Sequence, residues 1–207
     1  MFEIHLTTVP LEAGRLLAYR QACLELRVKA IVIELAPGLP VQPMTCLRVT
    51  GHYEEALGAA RRLSENLTGH GFPTLRVKIE AAPWNDGVPQ TDGEAAAEPA
   101  GRYFEFHARV LLAEGAALTV LSGLCTRHGA HLSRNPLKVR DDGQQERFVT
   151  LRASGVGRAT TEARTAALLR GLMAAGWTAD STVLEYCVHD DHLELDGFWG
   201  KGSAGAP

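Results

Sequence analysis

Phe2-Glu3-Ile4-His5 recurs as Phe104-Glu105-Phe106-His107, 102 positions later in the chain. Further segments follow in the same order at nearly the same offset, since 46–49 matches 150–153, and Gly71-Phe72 matches Gly176-Trp177. The sequence therefore predicts an internal duplication. Polar residues that repeat in register are candidates for one site built from two equivalent halves.

Each half shows the same order of elements. Alternation of apolar and polar residues indicates strands, and apolar residues at helical spacing indicate helices. Gly71 and Gly176 follow the second helix of each half, where glycine commonly ends a helix. The predicted strands lie at 2–8, 30–35, 44–50 and 75–80, then 103–111, 130–137, 147–153 and 182–188. The predicted helices lie at 11–26, 54–67, 118–128 and 160–175.

The order βαββαβ is that of a ferredoxin-like unit, in which two helices cover one face of a four-stranded antiparallel sheet. The sequence thus predicts an α+β protein of two ferredoxin-like βαββαβ repeats packed as a pseudo-symmetric unit. The repeats would span 1–82 and 102–199, with a flexible linker at 83–101 and a disordered tail at 200–207. Packing through the helix-free faces and packing through sheet edges both remain open.

Composition narrows the functional class. The chain has 207 residues, 45% of them hydrophobic, and a formal net charge of -3. The lack of basic excess argues against general nucleic-acid binding. No apolar run approaches the ~20 residues that span a membrane, and no secretory signal is visible. We therefore expect a cytoplasmic protein with reduced cysteines, either monomeric or homo-oligomeric.

A polar surface is predicted on the sheet face away from the helices, called here the free face. Successive strand residues point to opposite sides, so each repeat would present Glu, His, Arg and Glu there. These residues are Glu3, His5, Arg48 and Glu80, and Glu105, His107, Arg152 and Glu185. Such a set can form a cleft for a small anionic ligand, with Arg as the anion clamp. It can equally form a salt-bridged interface between the halves.

The segment 127–135 departs from the symmetry. Alternation places His131 and Ser133 on one side of a strand, whereas the corresponding segment of the first half is almost wholly apolar. A polar strand here indicates a specialised role. The alternative is an edge strand made polar to prevent sheet-to-sheet aggregation.

Two tripeptides, His5-Leu6-Thr7 and His131-Leu132-Ser133, resemble the HxT/S motifs of the 2H phosphoesterases. That family consists of duplicated α/β proteins that act on 2',3'-cyclic phosphates and RNA ends. The resemblance implies His5 and His131 as acid and base, with Thr7 and Ser133 holding phosphate oxygens. The chain departs from the family pattern because the symmetric partner of His5 is His107, which Ala108-Arg109 follows.

The C-terminal run 185–196 places His189 and His192 among several carboxylates. Such a group can bind a divalent cation, since imidazole admits zinc or iron. A solvated acidic loop explains the same composition. The sequence leaves the cofactor unknown and a divalent metal open.

These patterns lead to one functional hypothesis with two alternatives. The hypothesis is a hydrolase that acts on a small phosphorylated ligand in a cleft between the repeats. The alternatives are a non-catalytic ligand-binding or oligomerisation module, and a metal-dependent enzyme that uses His/Glu pairs. The candidate catalytic residues are His5, His107 and His131. The candidate ligand-binding residues are Thr7, Arg48, Arg152, Ser133 and Arg134, supported by Glu3, Glu105, Glu80 and Glu185.

Overall fold

The computed structural model describes residues 1–12, 14–33, 42–113, 116, 118–134 and 144–196. Predicted features of 34–41, of 135–143 and of the tail 200–207 lie outside the described residues.

Both repeats have the predicted order. The first contains β1 (Phe2–Thr8), α1 (Leu16–Glu25), β2 (Lys29–Ile33), β3 (Gln42–Val49), α2 (Tyr53–Gly69) and β4 (Thr74–Ala81). A short helix, α3 (Asp92–Ala96), follows. The second contains β5 (Tyr103–Leu112), α4 (Leu118–Arg127), β6 (Ala130–Ser133), β7 (Gln145–Ser154), α5 (Arg158–Ala174) and β8 (Ala179–Asp190), and a 3₁₀ turn, Leu193–Asp196, ends the described chain. The predicted fold class is confirmed.

The repeats join through sheet edges. The strands form one eight-stranded sheet in the order β2-β3-β1-β4-β8-β5-β7-β6, and β4 pairs with β8 in antiparallel orientation. This β4–β8 contact, called the seam, decides between the two packings that the sequence left open. A bulge between Ile79 and Glu80 shifts its register.

The helices and the apolar strand faces form the core. Ile4, Leu6, Phe104 and Val110 are buried toward this layer, together with Leu67 of α2. The long helices end alike: the N–H groups of Phe72 and Trp177 donate to carbonyls five residues back, each 2.9 Å away. Gly71 and Gly176 have φ of 81° and 85°, a region that glycine adopts without strain, as the sequence predicted.

The linker 83–101 is folded against the second repeat, whereas its composition predicted flexibility. The N–H groups of Arg158 and Ala159 donate to the carbonyls of Pro89 and Gln90 at 3.0 and 3.2 Å. The Gly157 N–H donates to Asp92 Oδ1 at 2.8 Å. Its backbone groups thus find partners at the start of α5, which holds the segment in place.

Other boundaries differ from the predictions. Helix α1 begins at Leu16, later than predicted, and β8 continues to Asp190 because its last residues pair with β4. Within the described part of the chain, no helix is long and apolar enough to cross a membrane.

Candidate functional site

The two Glu-x-His segments lie on the same face of the continuous sheet. Glu3 is opposite Arg48 across β1 and β3, and Glu105 is opposite Arg152 across β5 and β7. Arg48 Nε donates to Glu3 Oε2 at 2.7 Å, and Arg152 Nε donates to Glu105 Oε2. In each repeat, therefore, the arginine forms an ion pair with the glutamate of the same repeat.

Lys78 connects the repeats at the centre of the free face. Its ammonium lies 2.7 Å from Glu80 Oε1 and 2.6 Å from Glu105 Oε1. Burial alone would lower the pKa of Lys78, but the two carboxylates raise it above its usual value. Burial would raise the pKa values of Glu80 and Glu105, but Lys78 holds both below their usual range. The lysine is thus a fixed cation between two carboxylates.

His5 is buried beside this group. Its Nε2 lies 3.1 Å from Glu80 Oε2 and 3.6 Å from Glu3 Oε1. Its Nδ1 is buried without a hydrogen-bond partner in the described structure. Since the residue is 9% exposed, His5 is poorly placed to meet a substrate from solvent.

His107 is more accessible and more fully bonded. Its Nε2 lies 3.0 Å from Glu105 Oε1, and its Nδ1 lies 2.9 Å from Thr150 Oγ1. His131 lies opposite Thr150 on the next strand. The second repeat therefore aligns His107, Thr150 and His131 across three neighbouring strands.

The pair that the family resemblance implies is widely separated. His5 lies on β1 and His131 on β6, with β4, β8, β5 and β7 between them. Adjacent strands are about 4.8 Å apart, so along the sheet this is five strand spacings. Thr7 and Ser133 are buried beside their respective histidines, and Arg134 is exposed at the end of β6. The structure does not bring the two tripeptides into one site.

A second ion pair across the repeats involves residues that sequence reasoning had not placed in a site. Arg76 on β4 donates from Nε to Asp190 Oδ1 at 2.8 Å and from Nη2 to Asp190 Oδ2 at 2.5 Å. The Tyr103 hydroxyl donates to Asp190 Oδ2 at 2.9 Å. Alternation along β4 places Arg76 and Lys78 on the same side as Glu80. No local pattern predicted that Arg76 would pair with Asp190 on β8, or Lys78 with Glu105 on β5.

Among the residues that the structure describes, no metal-binding group includes a residue of the C-terminal run. His189 Nδ1 lies 3.4 Å from the Tyr53 hydroxyl, and His192 Nδ1 lies 3.1 Å from the Leu75 carbonyl oxygen. Asp191 accepts from the Val77 N–H at 2.7 Å. The run instead finishes β8 and attaches it to β4.

A cleft of about 410 Å³ opens where the seam ends. Pairing between β4 and β8 stops at Ala81 and Tyr186, where β4 ends, and the earlier part of β8 continues paired with β5. The walls include Phe2, Glu3 and Arg48 from the first repeat, Trp84 from the linker, Arg158 and Glu162 from α5, and Val183 and Glu185 from β8. Both repeats and the linker therefore contribute to the cleft.

Among the described residues, Glu185 is the carboxyl group of the cleft without a hydrogen bond. It corresponds by symmetry to Glu80, yet it forms no hydrogen bond or ion pair with the described residues. Burial, followed by repulsion from Glu80 and Glu3, raises the pKa of Glu185 to about 9. The group is therefore a neutral carboxylic acid at physiological pH.

Within the described ranges, two groups of side chains could hold a metal. Glu80, Glu105 and His107 form one, and Glu3, His5 and Cys46 form the other, with ligand atoms within 4.8 Å of one another. Lys78 already occupies the position between Glu80 and Glu105 that a metal would take. The second group has no such internal cation.

Comparison with known proteins adds similarities of fold. The sequence matches no protein-family model and no curated protein sequence. Similar solved structures include the ligand-free regulatory subunit of aspartate kinase from Thermus thermophilus, at 15% identity over 82% of this chain and 91% of that one, with a TM-score of 0.32. A heme-binding protein from Thermus thermophilus has 12% identity over 97% and 95% of the two chains and a TM-score of 0.30. A mutant chlorite dismutase from Candidatus Nitrospira defluvii has 9% identity over 96% and 95%, also with a TM-score of 0.30. We draw no functional conclusion from similarities at this level.

Proposed function

We propose that the protein is a binding module that takes a small zwitterionic ligand, with an ammonium and a carboxylate group, into the cleft at the end of the seam. The observation that carries this proposal is the pair Arg48 and Glu185 in one cleft. One offers guanidinium nitrogens, and the other is a carboxyl group without a partner. The carboxylate of the ligand would bind Arg48, and its ammonium group would bind Glu185.

Arg48 is suited to the carboxylate. Only its Nε contacts Glu3, and its side chain is 69% exposed, so its terminal nitrogens point away from the buried network. Guanidinium groups bind carboxylates through two parallel hydrogen bonds. The anionic ligand expected from the sequence thus corresponds to one end of this molecule.

Glu185 is suited to the ammonium group. An adjacent cation favours the ionised carboxylate and lowers its pKa. Because the pKa of Glu185 is raised to about 9, binding at pH 7 would release a proton. Proton release gives this half of the proposal its own measurable signature.

The remaining walls favour a ligand with an apolar body. The Trp84 side chain is 68% exposed and Val183 is 45% exposed, and both line the cleft. An apolar group that covered them would gain about 25 cal/mol per Å² of buried area. A volume of about 410 Å³ suits a molecule the size of a large amino acid.

Phosphoester hydrolysis has less support from the same geometry. Arg48 and Arg152 both contact carboxylates, and Lys78 is enclosed by two of them. A phosphate that bound Lys78 or Arg152 would have to displace these acids. His5 and His131, the acid and base that the resemblance implies, have four strands between them.

Thermal-shift measurements with a panel of amino acids test the proposal. Amines and carboxylic acids that carry the same side chains serve as matched probes, because each has only one of the two charged groups. We expect amino acids with large apolar side chains to stabilise the protein by RT ln(1 + [L]/Kd). The matching amines and carboxylic acids should give smaller increases in Tm. Arg48→Met should remove the response to the carboxylate, and Glu185→Gln the response to the amine.

Arg152→Met is the matched control, because Arg152 holds the equivalent glutamate in the other repeat but does not line the cleft. It should lower the Tm yet keep the ligand-induced shift. Equal responses of the wild type and Arg48→Met to every compound would refute the proposal.

A further inference from the structure

We propose that Glu3, His5 and Cys46 form a binding site for a divalent transition-metal ion of the zinc class, at the inner end of the cleft. This goes beyond ligand binding in the cleft. The three side chains come from two adjacent strands, with His5 opposite Cys46 and Glu3 two residues before His5.

Distances within the group approach those of a metal site. Glu3 Oε1 lies 2.9 Å from Cys46 Sγ and 3.6 Å from His5 Nε2. Tetrahedral zinc with ordinary bond lengths separates such ligand atoms by about 3.3 to 3.6 Å. The carboxylate and the imidazole already have this separation, and the sulfur would move outward when its proton is replaced.

The ligand types indicate the metal. Thiolate, imidazole and carboxylate together suit zinc and cobalt, whereas magnesium and calcium prefer oxygen ligands alone. In the bound state the Cys46 thiol would lose to solvent the proton that it now donates to Glu3. Glu80 Oε2, which lies 3.1 Å from His5 Nε2, is near enough to act as a fourth ligand after a small rotation.

The surroundings support the ligand positions. Arg48 holds Glu3 through Oε2, which leaves Oε1 directed at His5 and Cys46. Outer partners of this kind orient metal ligands and tune their affinity. Glu3 also lines the cleft, so an ion has a route from solvent.

Cobalt titration of chelator-treated protein tests the site directly. We expect one Co²⁺ per chain, with a thiolate charge-transfer band in the near ultraviolet and visible bands typical of four-coordinate cobalt, both abolished by Zn²⁺. Cys46→Ser should remove the charge-transfer band. Arg48→Met should weaken binding by about 10- to 100-fold but keep both bands.

Matched controls separate this site from its neighbours. Cys187→Ser changes a buried thiol outside the group, and His107→Asn changes the other histidine with nearby carboxylates. Both should keep the wild-type cobalt spectrum.

A wild-type spectrum without the charge-transfer band would overturn the proposal, whether or not the Cys46 variant folds. So would a spectrum lost in His107→Asn and kept in Cys46→Ser. Amino-acid binding is measured separately in the presence of chelator, so failure of one proposal leaves the other standing.

Discussion

The ammonium of Lys78, on the last strand of the first repeat, lies 2.6 Å from a carboxylate oxygen of Glu105, on the first strand of the second. Both residues are almost fully buried. Because Glu80 shares the same lysine, one cation balances two acids that belong to different repeats. A buried ion-pair network as well as backbone hydrogen bonding therefore connects the two repeats.

Removing this cation should destabilise the protein strongly. Lys78→Met leaves Glu80 and Glu105 buried and repelling one another, so we expect the free energy of unfolding to fall by about 3 to 5 kcal/mol. Urea unfolding followed by circular dichroism measures the loss. A triple variant that adds Glu80→Gln and Glu105→Gln should recover part of it, and a loss below about 1 kcal/mol for Lys78→Met alone would contradict the burial of this network.

Glu185 should make the protein less stable as the pH rises. Its pKa is raised from 4.5 to about 9 in the folded protein, so between these values the folded state binds more protons than the unfolded state, and stability falls with increasing pH. Glu185→Gln should therefore raise the free energy of unfolding by about 1 to 2 kcal/mol at pH 8 and flatten its pH dependence. Chemical unfolding at several pH values tests this. Glu65→Gln, an exposed change on α2, serves as the control and should alter neither quantity.

Asp190 should have the opposite pH dependence. Burial would raise its pKa, but the hydrogen bonds from Arg76 lower it below the usual value. Its contribution is present above the unfolded pKa of about 4 and is lost as pH falls through the folded value. Asp190→Asn should cost about 1.5 to 3 kcal/mol at pH 7, and the difference from wild type should shrink in acid. A difference that stays constant from pH 7 to pH 2 would argue against the ion pair.

The contact between the linker and α5 should tolerate no side chain at Gly157. A Cβ there would lie 2.5 Å from the carbonyl oxygen of Thr91, so Gly157→Ala must displace the linker backbone. We expect a loss of about 1 to 3 kcal/mol and faster proteolysis within 83–101. Gly69→Ala, whose Cβ would meet nothing within 4 Å, is the control. It should be neutral or stabilising because alanine favours helix.

Local pattern was enough to predict much of the fold. Alternation in 2–8 and 103–111 indicated which side chains share a face, and the glycines at 71 and 176 marked the two helix ends. These features depend on residues close together in the chain. Composition predicted only a linker at 83–101 and not its course, because the partners of its backbone lie on α5, far along the sequence.

Symmetry in the sequence made Glu80 and Glu185 equivalent, whereas the fold makes them different. Glu80 lies within the paired part of the seam and meets Lys78 and His5. Glu185 lies one residue beyond the last pair and faces the cleft instead. A difference of one residue in position relative to the seam therefore separates the ionised Glu80, which belongs to the ion-pair network, from the neutral Glu185, which makes no hydrogen bond with the described residues.

The spacing of side chains along the backbone was sufficient to predict the duplication, the order of the elements and the polar character of the free face. The folded chain was needed to show that the repeats meet through β4 and β8, that Lys78 joins Glu80 to Glu105, and that a cleft opens where this pairing stops. The physical reason is that strand pairing and ion pairing between distant segments depend on the total free energy of the packed chain. No local pattern in either repeat specifies its partner.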